Sequence, residues 1–211
     1  MTEPTGGIGD PTNRKGHVLV EAWGLVLAGL LAALAGMVDA IGYLHLSGLF
    51  VSFMSGNSTH LAVSLGQGKL AEAGVISKLV ALFVLGAAAG QVLAGVTVLL
   101  TMAAFLGTAP EPMVFAMGAL NASMQRAGNI PVSVTFVTGM LVGFGRGLGD
   151  LLTRRSSELK WLGQAVPWLG LIAGATVGGT AFMRIGEAAI WVSVVLSALL
   201  LAFSAAIRQP D

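Results

Sequence analysis

Asp39 is the residue whose chemistry asks first for an explanation. It lies in Gly36-Met37-Val38-Asp39-Ala40-Ile41-Gly42-Tyr43, inside a long apolar run. A carboxylate within a membrane span costs roughly 2.5–3.5 kcal/mol on insertion scales. Such groups usually face the interior of a helix bundle and serve proton, ion or substrate pathways. Asp39 is therefore the candidate to couple a transport cycle to protons. The plainer use is to cap a helix or bond a neighbouring one near the outer interface. Ser55-Gly56-Asn57-Ser58-Thr59-His60 interrupts the next apolar run. Ser55 and Asn57 are substrate-binding candidates there. Successive helical residues point in different directions, so the whole cluster cannot face one cavity. His60, a lone imidazole near a span end, fits an interfacial position. Asn121 offers an amide in a later apolar run, and its plainer use is an interhelical hydrogen bond of ~0.6–2 kcal/mol. Thr135 and Thr138 complete the candidate set, although membrane threonines commonly bond helix carbonyls.

Other chemistries find no residues. Cysteine is absent, which removes thiolate catalysis, disulfides and Cys-ligated metals. His17, His45 and His60 lack metal-ligand spacing. No phosphate-binding loop, nucleophile elbow or dinucleotide fingerprint occurs, and Asp39, Glu21 and His60 do not resemble a catalytic pair. The expectation is no enzyme, no cofactor and no bound metal. A net charge of +1 leaves no footprint for nucleic acid.

The elements that must position these groups are membrane helices. The chain is 55% hydrophobic and 10% charged, with mean hydropathy +0.84. A soluble domain carries about 25% charged residues, so these few cannot coat a water-facing globule. The 30 glycines suit close helix packing in lipid. The apolar runs are Leu19–Leu44, Leu49–Leu65, Leu79–Leu106, Met113–Met124, Pro131–Leu148, Leu162–Phe182 and Ala188–Ile207. The first run is too long for a signal-peptide core of ~7–15 residues. Leu79–Leu106 would span about 42 Å as a straight helix at 1.5 Å per residue, so it must tilt or break, with Gly90 and Gly95 as break points. With the first two runs crossing and the basic loops at Lys69/Lys78 and Arg154/Arg155/Lys160 on the cytoplasmic side, the count is six or eight crossings. The favoured reading is an all-α polytopic bundle of about six full spans, with Met113–Met124 as a re-entrant half-helix. Both termini are then cytoplasmic, and residues 1–17 form a disordered tail.

The chain also looks duplicated, with halves at 18–107 and 108–211. Gly36-Met37-Val38-Asp39-Ala40 aligns with Gly118-Ala119-Leu120-Asn121-Ala122 at an offset of 82, and Val51–Asn57 aligns with Val134–Met140 at 83. Gly86–Gly95 echoes Gly170–Gly179 more loosely. Paired interruptions at matching places in two halves are the best sequence pointer to a transporter's binding site. Ser55-Gly56-Asn57 and Thr138-Gly139 form such a pair. Gly86-x-x-x-Gly90 reads as a packing motif, Gln91 faces either the cavity or a partner helix, and Arg126, after Gln125, suits snorkelling to the interface better than anion binding.

Gly36–Tyr43 with Leu49–Asn57, and then Met117–Ala122 with Val134–Gly139, resemble the signature of the YoaK-like family. These are bacterial multi-pass membrane proteins classed as a domain of unknown function. The resemblance runs from about residue 20 to 207. Ser55 stands where threonine is usual, and Leu120 where glutamine is usual. It implies an inner-membrane protein with a suspected transport role and supplies no substrate. The resulting expectation is a small secondary transporter or permease with its site between the repeats. Its partners are the lipid bilayer and a small solute, with a second copy of the chain as a further candidate. The alternative is a non-transporting scaffold or partner subunit.

Overall fold

A computed structural model describes residues 11–89, 93–124, 137–154 and 160–207. Among them there is no strand and there are eight α-helices: α1 Pro11–His45, α2 Met54–Gly66, α3 Leu70–Ala89, α4 Leu93–Phe105, α5 Pro110–Met124, α6 Val137–Leu152, α7 Ala165–Ile185 and α8 Ile190–Ile207. Proline opens α1 and α5, where its missing N–H costs nothing. α1 starts at Pro11 and so takes in part of the stretch expected to be a tail. Among the described residues, three stretches are long and apolar enough to cross a membrane: Ala22–His45, Leu70–Ala89 and Trp161–Ala206, the last holding both α7 and α8.

The outward faces match this reading. Val84, Val98, Leu169, Val195 and Leu199 are all more than half exposed. A water-soluble monomer rarely presents so much apolar surface, whereas acyl chains make it costless. The core lies between helices and is built from Leu34, Val38 and Ile41 of α1, Val96 and Leu100 of α4, Met113, Met117 and Leu120 of α5, and Ile190 and Val194 of α8.

Two helix pairs set the architecture, α1 with α7 and α3 with α5. Both rest on glycine. A Cβ added at Gly36 would overlap the Leu171 carbonyl oxygen, and one at Gly174 would overlap the Ala33 carbonyl oxygen. Gly170 meets Gly29 and Gly178 meets Met37 in the same way. Contacts that rise together along both helices mean α1 and α7 run parallel. In the other pair, a Cβ at Gly118 would overlap the Phe83 carbonyl oxygen, and one at Gly86 the Phe115 carbonyl oxygen. Backbones this close gain dispersion and leave no room for a side chain.

The ends of the helices fix their directions. Glu187, between α7 and α8, lies 3.5 Å from His45 at the end of α1, and its carbonyl accepts a 3.0 Å bond from Thr108, just before α5. Phe105, ending α4, stacks edge-on against Trp191 at 5.0 Å. Lys78 of α3 bonds Glu111 of α5 at 2.7 Å, which brings α3 in from the same end. At the opposite end Trp23 packs on Phe203, at 5.9 Å. So α1, α4 and α7 run one way, and α3, α5 and α8 run the other.

This alternation corrects the expected assignment of spans. α1 and α3 are antiparallel, so α2 between them cannot be a full crossing. By the same count α6, between antiparallel α5 and α7, does not cross. The partial helices are α2 and α6, and α5, expected as the re-entrant piece, is one of the six alternating helices. The Leu79–Leu106 run does break, into α3 and α4; Gly90 lies outside the described residues, and Gly95 sits inside α4 with open space beside it. Lys69 and Lys78 then lie at the end away from Trp23, not on the side of the chain termini.

Candidate functional site

The site is built where α2 begins. After His45 the chain turns back, with Ser47 and Gly48 both at positive φ, and runs without helix until Met54. Eight residues of non-helical backbone beside a membrane helix need hydrogen-bond partners that lipid cannot supply. Backbone bonds to Gly42 and Tyr43 serve Leu46 and Gly48, and two side chains serve residues 50–52. Asp39 Oδ1 accepts the backbone N–H of Val51 and of Ser52, each at 2.8 Å, and Asp39 Oδ2 accepts the Ser52 hydroxyl at 2.8 Å. Asn57 is fully buried and closes the other side. Its Oδ1 accepts from Phe50 N at 3.0 Å, and its Nδ2 donates to the Phe50 carbonyl at 2.7 Å. One residue thus satisfies both backbone groups of Phe50, as a neighbouring strand would.

Beside this pinned segment lies a cavity of about 560 Å³. Its walls come from Gly36, Asp39, Ala40, Tyr43 and Leu44 of α1, Phe50, Ser52 and Phe53 before α2, Thr138 in the first turn of α6, and Leu171 and Ala175 of α7. Volumes of ~300–1,000 Å³ with an apolar lining and a few placed polar groups are typical of small-molecule sites. The level in the bundle follows from the helix contacts. Gly36 touches Leu171 and Ala175, roughly midway between the Trp23 end and the His45 end. α2 climbs from that level toward α3. α6 descends from it toward the start of α7, where Gly147 lies against the Trp161 ring and Phe144 stacks on it at 5.0 Å. Both partial helices therefore begin near mid-bundle, one on each side of the same cavity.

The six candidate residues separate. Asp39 and Thr138 line the cavity. Asn57 faces away from it and holds Phe50. Ser55 is exposed in the first turn of α2, with its carbonyl accepting from Thr59. Ser55-Gly56-Asn57 is helical, so the interruption is the segment before it. Asn121 is buried in α5, its Nδ2 donating to the Met117 carbonyl at 2.9 Å. Thr135 lies outside the described residues, as do Gln91, Gln125 and Arg126. His60 is exposed on α2. Sequence reasoning missed Ser52, Tyr43, Phe50 and Phe53 as wall residues. The phenylalanines stand at either end of Phe50-Val51-Ser52-Phe53, a spacing that brings both rings to one side once Asp39 draws in the N–H groups between them.

Residues 27–203 match the model of a family described as "Protein of unknown function (DUF1275)". The chain is also similar to a UPF0700 transmembrane protein of Rhizobium meliloti (strain 1021), with 42% identity over 196 residues, 86% of each chain. No solved structure matches it.

Proposed function

The chain belongs to the DUF1275 family of multi-pass membrane proteins, and from that premise we propose that it is a small secondary transporter or permease of the inner membrane. The observation that carries this reading is the cavity at mid-bundle where the two partial helices start, with an intramembrane carboxylate in its wall. Discontinuous helices from two repeats, meeting at the bilayer midplane around the substrate, are a recurrent transporter plan.

The repeat reading, with halves at 18–107 and 108–211, is supported by the glycine contacts. Gly36 lies against Leu171 and Ala175, and Gly118 against Phe83 and Ala87. Gly174 lies against Ala33, and Gly86 against Phe115. A shift of 82 on the first helix of each half and 88 on the third maps one set onto the other. Three alternating helices per half give the halves opposite orientation. Arg14, Lys15, Arg146, Arg154 and Lys160 fall toward the Trp23 end, against Lys69, Lys78 and Arg184 at the other. An excess of Lys and Arg marks the cytoplasmic side, so both termini are cytoplasmic.

Thermal unfolding of the detergent-solubilised protein against anions, amines and neutral metabolites tests the site, because a ligand of the folded state raises its stability. At least one class raises the midpoint of the wild type and leaves Thr138→Trp unmoved. Solute flux in proteoliposomes no faster than in empty vesicles, with no ligand shifting the midpoint, would sink the transport reading.

A further inference from the structure

We propose that the cavity selects a small organic cation, an amine or quaternary ammonium with an apolar body; this deepens the transport reading and rests on its site. Three observations converge. First, Asp39 is held entirely by neutral donors, the Val51 and Ser52 N–H groups and the Ser52 hydroxyl. Oδ1 accepts both N–H bonds, and the Ser52 hydroxyl completes the set of partners. Among the described residues the pairs of a basic side chain with a carboxylate are His45–Glu187, Lys69–Glu72 and Lys78–Glu111, and none reaches Asp39. Charges inside a membrane ordinarily pair with one another, and this one faces the cavity with no counter-ion among the described residues.

Second, the wall beside it is aromatic. Tyr43 and Phe50 have ring centroids 4.8 Å apart, and Phe50 and Phe53 are packed edge to face at 5.3 Å. All three rings border the same space as Asp39. Aromatic faces attract cations within about 6 Å of the ring centre, by ~0.5–2 kcal/mol, and cages of such rings are the recurrent recognition device for quaternary ammonium groups.

Third, the remaining wall excludes the other cations. Calcium takes six to eight oxygen ligands and magnesium demands an octahedral set. Here Gly36, Ala40, Leu44, Leu171 and Ala175 offer no side-chain oxygen, and only the Ser52 and Thr138 hydroxyls and the Tyr43 phenol add to the Asp39 carboxylate. Among the described residues no group of three His, Cys, Asp or Glu could hold a metal. A proton needs no cavity of about 560 Å³. An anion would meet the Asp39 carboxylate, and the nearest backbone donors, the Val51 and Ser52 N–H groups, are already taken by it.

Titration calorimetry on the full-length protein in detergent separates the cases, using benzyltrimethylammonium, benzyl alcohol and benzoate as probes. The cation binds saturably and the other two more weakly by tenfold or more. Asp39→Asn keeps an oxygen for the Val51 and Ser52 N–H groups and weakens the cation at least tenfold, with benzyl alcohol unchanged. Phe50→Leu with Phe53→Leu keeps apolar volume, removes the ring faces and weakens the cation about two- to fivefold, the factor equivalent to ~0.5–1 kcal/mol. Should Asp39→Asn fail to fold, the three-probe series on wild type and the double leucine variant still decide. Benzyl alcohol or benzoate binding as tightly as the cation would overturn cation selection and leave the transport site standing. Absence of binding by all three probes would also overturn it, and the metabolite panel above would then judge the site by itself.

Discussion

The two halves pack alike and are wired differently. At α1–α7 and at α3–α5 the same device brings backbones together: a glycine on each helix against the partner's carbonyl oxygen. At the equivalent polar position the halves part. Asp39 reaches out of its helix to hold the segment before α2. Asn121 has among its bonds one back along its own helix, its amide donating to Met117 one turn away. Asn57, which clamps Phe50, aligns with Met140, an apolar side chain against the core. Packing tolerates little change and is the same twice. Among the described residues, the carboxylate, the pinned segment and the aromatic wall coincide in the first half.

The largest expected effect breaks the shared part. Valine at Gly174 places a Cβ on the Ala33 backbone, and valine at Gly118 places one on Phe83. Backbone cannot rotate aside as a side chain does, so helices must separate, and overpacking costs typically 1–3 kcal/mol or more. Gly174→Val and Gly118→Val both lose most of the monodisperse protein on size-exclusion chromatography. Gly179→Val, with nothing within 4 Å of its added Cβ, keeps the wild-type yield. A tolerated Gly118→Val beside a ruined Gly174→Val would mean that the two contacts are not equivalent.

The next effect sharpens the difference. Asp39→Ala strips three donors of their acceptor. Two of these are backbone N–H groups shielded from water, and a buried donor left unsatisfied costs about 1–3 kcal/mol. The expected loss is about 3 kcal/mol, read as a fall of several degrees in the thermal midpoint. Asn121→Ala costs about 1 kcal/mol, as interhelical or intrahelical amide bonds in membranes generally do. Equal midpoints for the two variants would show that Asp39 does not hold the segment, and the contrast between the halves would reduce to charge alone.

What could be read in the sequence follows from which forces are local. Asp39 announced itself because a carboxylate amid apolar residues is costly wherever it ends up. The repeat reading starts from Gly36–Ala40 and Gly118–Ala122, and its alignment of the glycine helices differs by one turn from the one that the contacts favour. The sequence echo pairs Gly86 with Gly170, whereas the contacts pair it with Gly174. Glycines spaced by four look the same after a slip of four, and only the partner helix breaks the tie. That α2 does not cross was illegible for a similar reason. Leu49–Leu65 is apolar enough for a span, and hydropathy does not see that its first residues are tied to Asp39, more than ten positions earlier. The cavity wall reaches from Gly36 to Ala175, so no local pattern could announce Leu171 or Ser52 as part of it.

The smallest effect is also the most local, and it converts the first half to the second half's residue. Asn57→Met keeps comparable bulk and removes the amide that pairs with both backbone groups of Phe50. Those groups have no neighbouring strand to turn to, so the segment 46–53 samples open conformations more often. Helix packing through Gly36 and Gly174 is untouched, and Asp39 still holds Val51 and Ser52. The thermal midpoint therefore falls less than in Asp39→Ala, while amide exchange at Phe50 and its neighbours quickens by about tenfold, the factor for ~1.4 kcal/mol of local opening. Exchange that quickens equally across α1 and α7 would make Asn57 a global core residue. Exchange confined to 46–53 would show that the wall of the cavity can loosen while the scaffold around it stays folded, as a site that opens and closes around a solute requires.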